Sequence, residues 1–448
     1  MITRLEVDGF KSLRDFAVDL DPFTVFIGPN SAGKSNILEA LALLSRLASQ
    51  PIAEAFKGGR GRPSDQFTRQ GGESVKAMRF AIEVLEYGDY ELRSACAPPR
   101  QSRYRYELTI ERRALSSSVE RLVARDERLF GMKPENDRWI AERPEFSALA
   151  SYKEAGIETF VTIKDEERVG QRMIGLPTVN PEERRIPSSH TALASAPFYV
   201  GVSTIQNNLL GCQQIALDAK RVGDPSDRLG SGGLAEDLSN LPTVLGGLSA
   251  PLLGEIRADL AMMVPDIASF YVVAEGDDLR IDFEHSGGER LPAKLVSDGT
   301  LRLLALLTAL RQDPRPGLLA IEEPENGIYP GRLRRLVDLL RAETKRRHDD
   351  PDSLMRLDDE IESVGAAGMS TNLLAIQVLV TTHSPVILSA LRKQPQHLRF
   401  IDTVRRDGHR ISRVRTVGRP ATPAEGRLKI SPREIDQLLD STRDEATE

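Results

Sequence analysis

The sequence is poor in cysteine, has no long apolar run and carries no excess of positive charge. Its two cysteines, Cys96 and Cys212, cannot build a disulfide framework, which is typical of a protein from a reducing compartment. No run approaches the roughly 18 apolar residues of a membrane-spanning helix, and the N-terminus lacks the apolar core of a signal peptide. These absences predict a soluble, cytoplasmic protein that makes no contact with a membrane.

The net charge of −6 excludes a globally basic surface, so nucleic acid would have to bind at a local patch. One candidate patch lies between Arg100 and Arg128, where Tyr104 and Tyr106 stand among arginines and carboxylates. Two interpretations stay open at this point. The patch contacts the phosphates and bases of DNA or RNA, or it is an ordinary solvated face.

The most informative stretch is Gly-Pro-Asn-Ser-Ala-Gly-Lys-Ser, residues 28–35, which has the G-x-x-x-x-G-K-S spacing of a phosphate-binding loop. The apolar run Phe23–Ile27 before it predicts a buried strand, and apolar residues recur after it at helical spacing to about Ser49. A loop between a strand and a helix directs its N–H groups and the positive end of the helix at one point. The sequence therefore predicts a nucleoside triphosphate site.

Each part of this loop has an expected role. Lys34 is expected to reach the β- and γ-phosphates, and the Ser35 hydroxyl is expected to ligate Mg²⁺. The residues predicted to contact the nucleotide are Gly28, Asn30, Ser31, Ala32, Gly33, Lys34, Ser35 and Asn36.

A second group of candidate residues follows two later apolar strands. Leu318–Glu323 ends in two carboxylates, of which Glu322 is expected to hold the Mg²⁺ shell and Glu323 to polarise the attacking water. His383 follows the apolar run Ile376–Val380 and is placed to approach the γ-phosphate. Paired glutamates at a strand end are often merely solvated, and a lone histidine is more often structural. The P-loop and the following Pro-Glu-Asn-Gly run favour the catalytic interpretation.

The order of four motifs resembles the ABC-type ATPase heads of the RecF/OLD/SMC group. The motifs are the P-loop, Ser297-Asp298-Gly299-Thr300 before an apolar helix, Ile321 to Asn326, and Thr382-His383-Ser384-Pro385. In that family they are the Walker A, signature, Walker B and H-loop motifs. The resemblance covers about 1–110 and 265–405. It implies an α/β fold: a P-loop NTPase, specifically an ABC-ATPase head with a mixed β-sheet, a helical lobe and a large insertion.

The resemblance also implies cofactors and a partner. Such heads bind ATP and Mg²⁺ and dimerise around two ATP molecules, which implies a homodimer or a higher even-numbered oligomer. Ser297 and Gly299 of one subunit would then face the ATP held by the other, and a helix capped by Ser297 suits an anion. The glutamine of the family's Q-loop has three unranked candidates: Gln206, Gln213 and Gln214.

Composition and pattern predict three regions. Residues 1–110 and 265–425 form a discontinuous ATPase core, and 111–264 form an insertion with a helical lobe and a small β portion. Within the insertion, Ser116–Phe130 is predicted as a helix. Residues 348–371 read as an acidic, solvated linker. A C-terminal tail, 426–448, is predicted to hold a short helix that begins at the capping box Ser431-Pro432-Arg433-Glu434; its apolar stripe either packs on the head or docks a partner.

Three functions from different classes are compatible with these motifs. The first is an ATP-driven switch in DNA repair or anti-phage defence. The second is the nucleotide-binding subunit of a membrane transporter, and the third is a regulatory protein latched by ATP with little hydrolysis. The signature sequence and the insertion favour the first over the second, and Glu323 favours it over the third. Because the 65 residues after His383 hold no Asp-x-Asp pair for a nuclease metal site, a separate effector, a nuclease, is expected.

Overall fold

The computed structural model describes most of the chain, and its residues group into two compact units, each discontinuous in sequence. The first unit is Met1–Asp21, Gly28–Cys212 and Arg399–Ile430, and the second is Pro22–Ile27, Gln213–Leu398 and Ser431–Glu448. The predicted boundaries between core, insertion and tail stay predictions. The described residues are 1–70, 73–86, 101–116, 119–153, 158–166, 171–176, 182–195, 200–215, 219–230, 232–345, 376–406, 408–417, 429–431 and 434–435.

The described residues form strands β1 (Ile2–Asp8), β2 (Phe16–Asp19), β3 (Phe23–Ile27), β4 (Arg69–Gln70), β5 (Glu73–Ser74), β6 (Ala77–Leu85), β7 (Arg103–Ala114), β8 (Glu120–Gly131), β9 (Glu158–Glu166), β10 (Gln171–Leu176), β11 (Glu182–Pro187), β12 (Cys212–Ile215), β13 (Ser226–Asp227), β14 (Ile267–Glu275), β15 (Asp278–His285), β16 (Arg290–Pro292), β17 (Leu318–Glu322), β18 (Gln377–Thr382), β19 (Leu398–Arg406), β20 (His409–Val417) and β21 (Lys429–Ile430).

They also form α-helices α1 (Lys34–Leu47), α2 (Ile52–Lys57), α3 (Arg138–Ala141), α4 (Ala192–Ser195), α5 (Val200–Leu210), α6 (Ala219–Val222), α7 (Leu241–Gly247), α8 (Ala250–Met263), α9 (Asp298–Arg311), α10 (Pro330–Glu343) and α11 (Pro385–Ala390). No helix in these described ranges is both long and apolar enough to cross a membrane. The acidic stretch 348–371 and the tail beyond residue 435 lie outside the described residues.

The first unit is built on an eight-stranded sheet in the order β11-β10-β9-β8-β7-β6-β1-β2. In β7 the buried residues Tyr104, Tyr106, Leu108 and Ile110 alternate with half-buried polar ones, as expected for a strand with one face on the core. Helix α1 buries the apolar stripe that the sequence predicted, including Ile37, Leu41 and Leu44. In this unit β20 pairs with β21.

The prediction of a helix over Ser116–Phe130 was wrong, because residues 120–130 belong to strand β8. It pairs antiparallel with β7 on one side and with β9 on the other. Partners shift from Thr109 with Asp126 to Ile110 with Ala124, so Arg125 is an extra residue on β8. Such a bulge breaks the alternation of buried and exposed side chains that would otherwise mark a strand.

The first residue of β7, Arg103, takes part in a buried ion pair. The Arg103 guanidinium donates to both carboxylate oxygens of Asp137, at 2.6 and 2.9 Å, and neither side chain is more than 1% exposed. Asp137 also accepts from the amide of Ile140, which caps α3, and from the hydroxyl of Tyr152. The pair therefore joins β7 to the segment that follows β8.

In the second unit, three parallel strands end at the same edge. Glu322 at the end of β17 is the register partner of Thr381 in β18, and Thr382 is the partner of Ile27 at the end of β3. The chain leaves this edge after Ile27, Glu322 and Thr382. Carboxyl ends of parallel strands are where α/β proteins bind ligands.

The remaining part of the second unit carries a small sheet and the helices. Strands β13, β15 and β14 are neighbours, and β16 pairs with β15. Helix α8 contacts β14 and α9. At the tail, the Ser431 amide donates to Glu434 Oε2 at 2.8 Å and the Glu434 amide donates to Ser431 Oγ, so the predicted capping box is present.

Candidate functional site

The P-loop has the backbone of an anion-binding loop. Ser31 and Gly33 both have positive φ values, 61° and 97°, and Gly33 is the N-cap of α1 without any side-chain cap. This is the backbone geometry with which loops at a helix N-terminus bind anions. Lys34 is 6% exposed, and its ammonium donates to the carbonyls of Gly28 and Pro29 at 2.8 and 3.0 Å.

Serines from distant parts of the first unit form hydrogen bonds with this loop and with the first turn of α1. Ser412 donates to the carbonyl of Ala32 at 2.7 Å and lies 2.6 Å from Ser12, which in turn accepts from the Asn36 side chain. A Cβ on Gly33 would stand 2.0 Å from Ser412 Oγ, so only glycine fits there. The side chain of Asn36 is thus linked to the loop through Ser12 and Ser412, whereas Asn30 and Ser31 are exposed.

At the carboxyl edge of the second unit, Glu322 meets one of the three candidate glutamines. Gln214, on β12, donates from Nε2 to Glu322 Oε1 at 2.9 Å. Gln213 donates to the carbonyl of Leu234 and accepts from Gln312. Gln206 donates to the carbonyls of Ala48 and Leu193. Only Gln214 among the three is bonded to a predicted Mg²⁺ ligand.

Both carboxylate oxygens of Glu323 have neighbours from the loops of this edge. Asn326 Nδ2 donates to Oε2 at 3.0 Å, and His383 Nδ1 lies 3.3 Å from Oε1. Glu323 itself has φ +43°, a conformation that is uncommon for residues other than glycine and concentrates at functional sites. Its amide donates to the carbonyl of Thr381, which fixes the turn against β18. The structure thus brings together the predicted Glu323 and His383.

A third carboxylate, Glu325, contacts His383 of this pair and was not predicted as a site residue. Its Oε1 accepts from the Thr382 hydroxyl at 2.6 Å and from the His383 amide at 3.0 Å, and His383 Nδ1 lies 3.4 Å away. The side chain is 8% exposed. The only sequence signal for it is its spacing, two residues after Glu323.

The predicted signature motif begins α9 and packs on the turn that follows Glu323. Ser297 is the N-cap, and its Oγ accepts from the amide of Thr300, as predicted. A Cβ on Gly299 would stand 2.1 Å from the carbonyl oxygen of Gly327. Arg302, on the same helix, donates to the carbonyl of Asn326 at 2.7 Å.

The arginines between residues 100 and 128 are largely paired with carboxylates. Tyr104 and Tyr106 are buried, so the expectation that they could stack on bases was wrong. Contact with DNA or RNA stays a prediction, and this hairpin lends it little support. Among the described residues, ion pairs join Arg103 with Asp137 and Glu83, Arg105 with Glu6, Glu83 and Glu107, Arg112 with Glu120, Arg113 with Glu111, and Arg125 with Asp126.

Two family models match the chain. The model described as "AAA domain, putative AbiEii toxin, Type IV TA system" matches residues 199–389, and the model described as "AAA ATPase domain" matches residues 1–89. A solved structure of an SMC head bound to the C-winged helix domain of ScpA covers 93% of this chain and 98% of its own, with a TM-score of 0.51 and 14% identity. At this identity the likeness concerns the fold alone.

Three curated relatives match shorter segments. The chain is 29% identical over 115 residues to structural maintenance of chromosomes protein 1 of Schizosaccharomyces pombe, a match that covers 24% of this chain. It is 46% identical over 44 residues to the OLD nuclease of Thermus scotoductus and 43% identical over 53 residues to RecF of Acidothermus cellulolyticus, covering 10% and 12% of this chain. The matches span 9%, 8% and 14% of those relatives, respectively.

Fold, motifs and relatives define a P-loop ATPase head of α/β class. The two family models and the three relatives support an ABC-type ATPase of the RecF/OLD/SMC group. The resemblance and the fold class predicted from the motifs are therefore confirmed.

Proposed function

We propose that this chain binds ATP with Mg²⁺, hydrolyses it, and uses the cycle as a switch between a separate and an ATP-bridged state of two copies. In this proposal Lys34 and the P-loop hold the phosphates, and Ser35 and Glu322 ligate Mg²⁺. Gln214 fixes Glu322. The N-terminus of α1, which has no side-chain cap, suits the phosphates of ATP. The hydroxyl of Ser35 and the carboxylate of Glu322 suit Mg²⁺, because Mg²⁺ prefers oxygen ligands.

The observation that carries the proposal is the environment of Glu323. Its carboxylate is bonded by Asn326 at one oxygen and lies beside His383 at the other. A carboxylate that is hydrogen-bonded at one oxygen, has an imidazole beside the other and is still 35% exposed is suited to orient and polarise a water molecule.

Two variants test this proposal together. Lys34→Ala is expected to abolish ATP binding, because it removes the cation of the loop. Glu323→Gln is expected to keep ATP bound but to lower turnover about 10²–10⁴-fold, the usual contribution of a positioned base. Binding is measured with a fluorescent ATP analogue and turnover by phosphate release, with the exposed Glu289→Gln as control.

The same measurements separate the proposal from an ATP latch. A latch predicts tight ATP binding with wild-type turnover no faster than that of Glu323→Gln. Ordinary ATP affinity in Lys34→Ala would overturn the P-loop assignment itself.

We further propose that the switch acts in DNA repair or anti-phage defence through a separate effector, a nuclease. The relatives support this direction, since one is named a nuclease and another a replication and repair protein. The purified chain, given ATP with Mg²⁺ or Mn²⁺, is expected to hydrolyse ATP and to leave plasmid DNA, linear DNA and RNA intact. Metal-dependent cleavage that is lost on mutation of this chain would contradict the two-component proposal.

A further inference from the structure

The H-loop and the turn after β17 are joined by one buried side chain. Glu325 Oε1 accepts from the Thr382 hydroxyl and from the His383 amide, at 2.6 and 3.0 Å. Thr382 Oγ1 in turn accepts from the amide of Ser384. Three consecutive residues of the H-loop therefore depend, directly or through Thr382, on a carboxylate of the other loop.

The second oxygen of Glu325 makes the arrangement unusual. Oε2 is buried and accepts no hydrogen bond from the described residues, although the side chain is only 8% exposed. A buried carboxylate is costly unless its contacts offset the loss of hydration. Since every hydrogen bond it accepts in the described part of the chain comes from the H-loop, holding that loop is the role the geometry supports.

The contact has a direct consequence for the catalytic pair. His383 Nδ1 lies 3.3 Å from Glu323 Oε1 and 3.4 Å from Glu325 Oε1, so the imidazole stands between the two carboxylates. The His383 side chain is 41% exposed and is not enclosed by packing. Its position is therefore set mainly by its own backbone, and Glu325 holds that backbone.

We propose that Glu325 is a positioning residue that fixes His383 beside Glu323 by accepting hydrogen bonds from the H-loop. Its negative charge is not what the reaction uses. The inference rests on the proposed ATPase function. It gives a role to a residue that the sequence did not place in the predicted site.

Two substitutions at this position separate geometry from charge. Glu325→Gln keeps an oxygen that accepts from Thr382 and His383, whereas Glu325→Ala removes it. We expect Glu325→Ala to lower kcat about 10–100-fold, as for residues that orient catalytic ligands, with the KM for ATP changed by less than about threefold. Glu325→Gln should stay within about fivefold of wild type. Equal loss in both variants would show that the charge is required and would overturn the proposal.

A double-mutant cycle asks whether Glu325 acts through His383. If it does, adding Glu325→Ala to His383→Ala produces little further loss of kcat. If the two losses multiply, Glu325 acts independently of His383 and the proposal is wrong. Glu289→Ala, an exposed glutamate on the loop between β15 and β16, is the matched control and should leave kcat unchanged.

Hydrogen exchange gives a readout that needs no nucleotide. In the peptide that contains residues 381–388, the amide hydrogen of His383 should exchange about tenfold faster in Glu325→Ala than in wild type, because it loses a charged acceptor. Protection should persist in Glu325→Gln. Unchanged protection in Glu325→Ala would contradict the hydrogen bond on which the proposal is built.

Two substitutions of Thr382 test the same proposal if the Glu325→Ala variant does not fold. Thr382→Ser retains the hydroxyl and should keep kcat within about threefold, while Thr382→Val removes it and should lower kcat about tenfold. Equal activity of the two would argue against the proposal. If the wild type hydrolysed no ATP but the exchange results held, the proposed function would fail and the contact of Glu325 with the H-loop would stand.

Discussion

The amide of Gln214 holds one oxygen of Glu322, a proposed Mg²⁺ ligand, at 2.9 Å. Residues that orient a metal ligand typically contribute 10–100-fold to metal affinity. We therefore expect Gln214→Ala to raise the Mg²⁺ concentration for half-maximal ATPase activity at least about tenfold, with thermal stability little changed. A Mg²⁺ titration of steady-state phosphate release measures this.

The neighbouring glutamine provides the comparison. Gln213 bonds Leu234 and Gln312 instead of Glu322, so Gln213→Ala should lower stability and leave the Mg²⁺ dependence unchanged. The interpretation of Gln214 fails if both variants show the same Mg²⁺ dependence.

Among individual residues, the sequence identified those whose spacing is fixed by a single loop or by a single strand end. The P-loop, Glu322, Glu323 and His383 follow from such local patterns. Gln214 and Glu325 do not, because each acts on a residue from a different part of the chain. Spacing along the sequence carries no information on which of three glutamines meets Glu322, or on where a buried carboxylate points.

Among the elements, β8 shows why a periodic pattern can mislead. The segment over 116–130 has apolar residues at spacings compatible with a helix, and Arg125 interrupts the alternation of a strand. Pairing with β7 and β9 on both sides decides its conformation, and that contribution comes from outside the segment. By contrast, α1 carries its own apolar pattern and α9 carries both a capping serine and an apolar run, and both helices were predicted.

The buried pair of Arg103 and Asp137 supports a prediction about stability. Asp137→Asn keeps the shape but removes the nearer counter-ion of the buried Arg103 guanidinium and leaves only the more distant Glu83, at 3.7 Å. Breaking such a pair costs about 3–5 kcal/mol, and urea unfolding at pH 7 measures it. The exposed pair of Arg125 and Asp126 is the control, since Asp126→Asn should cost less than about 1 kcal/mol.

The pH dependence of this effect has a definite sign. Burial disfavours the charged carboxylate of Asp137, but hydrogen bonds and charge from Arg103, with help from Ile140 and Tyr152, lower its pKa overall. A carboxyl whose pKa is lowered by folding stabilises the protein above its unfolded pKa, about 3.9, and that stabilisation is lost as the pH falls through the folded value. The loss of unfolding free energy caused by Asp137→Asn should therefore be greatest at pH 7 and should become smaller below about pH 4. A deficit that grew on acidification would contradict this assignment.

For the whole molecule, the proposed dimer predicts that two inactive chains can restore one another. Lys34→Ala disables the P-loop, and Ser297→Arg places a cation and a bulky side chain at the start of α9. Mixed dimers would contain one composite site with an intact P-loop from one chain and an intact signature from the other. Phosphate release by the mixture should therefore recover to a fraction of the wild-type rate, while each variant alone stays inactive.

A second mixture is the control for this experiment. Lys34 and Glu323 of one chain are proposed to serve the same ATP, so a mixture of Lys34→Ala with Glu323→Gln has no intact site and should stay inactive. No recovery in the first mixture, when mixed dimers are shown to form, would rule out the shared site.

The contact of α9 with the turn after Glu323 has a consequence for how such a dimer responds to its ligand. Arg302 and Gly299 pack on Asn326 and Gly327, and Asn326 holds Glu323. In the proposed dimer, one end of this contact would face the partner's ATP, while the other end would serve the chain's own ATP. If ATP at one site strengthens ATP binding at the other, the reverse effect has the same size, commonly 5–150-fold. A Hill coefficient above one would then follow, and a small rise in ATP concentration would close most of the dimers together.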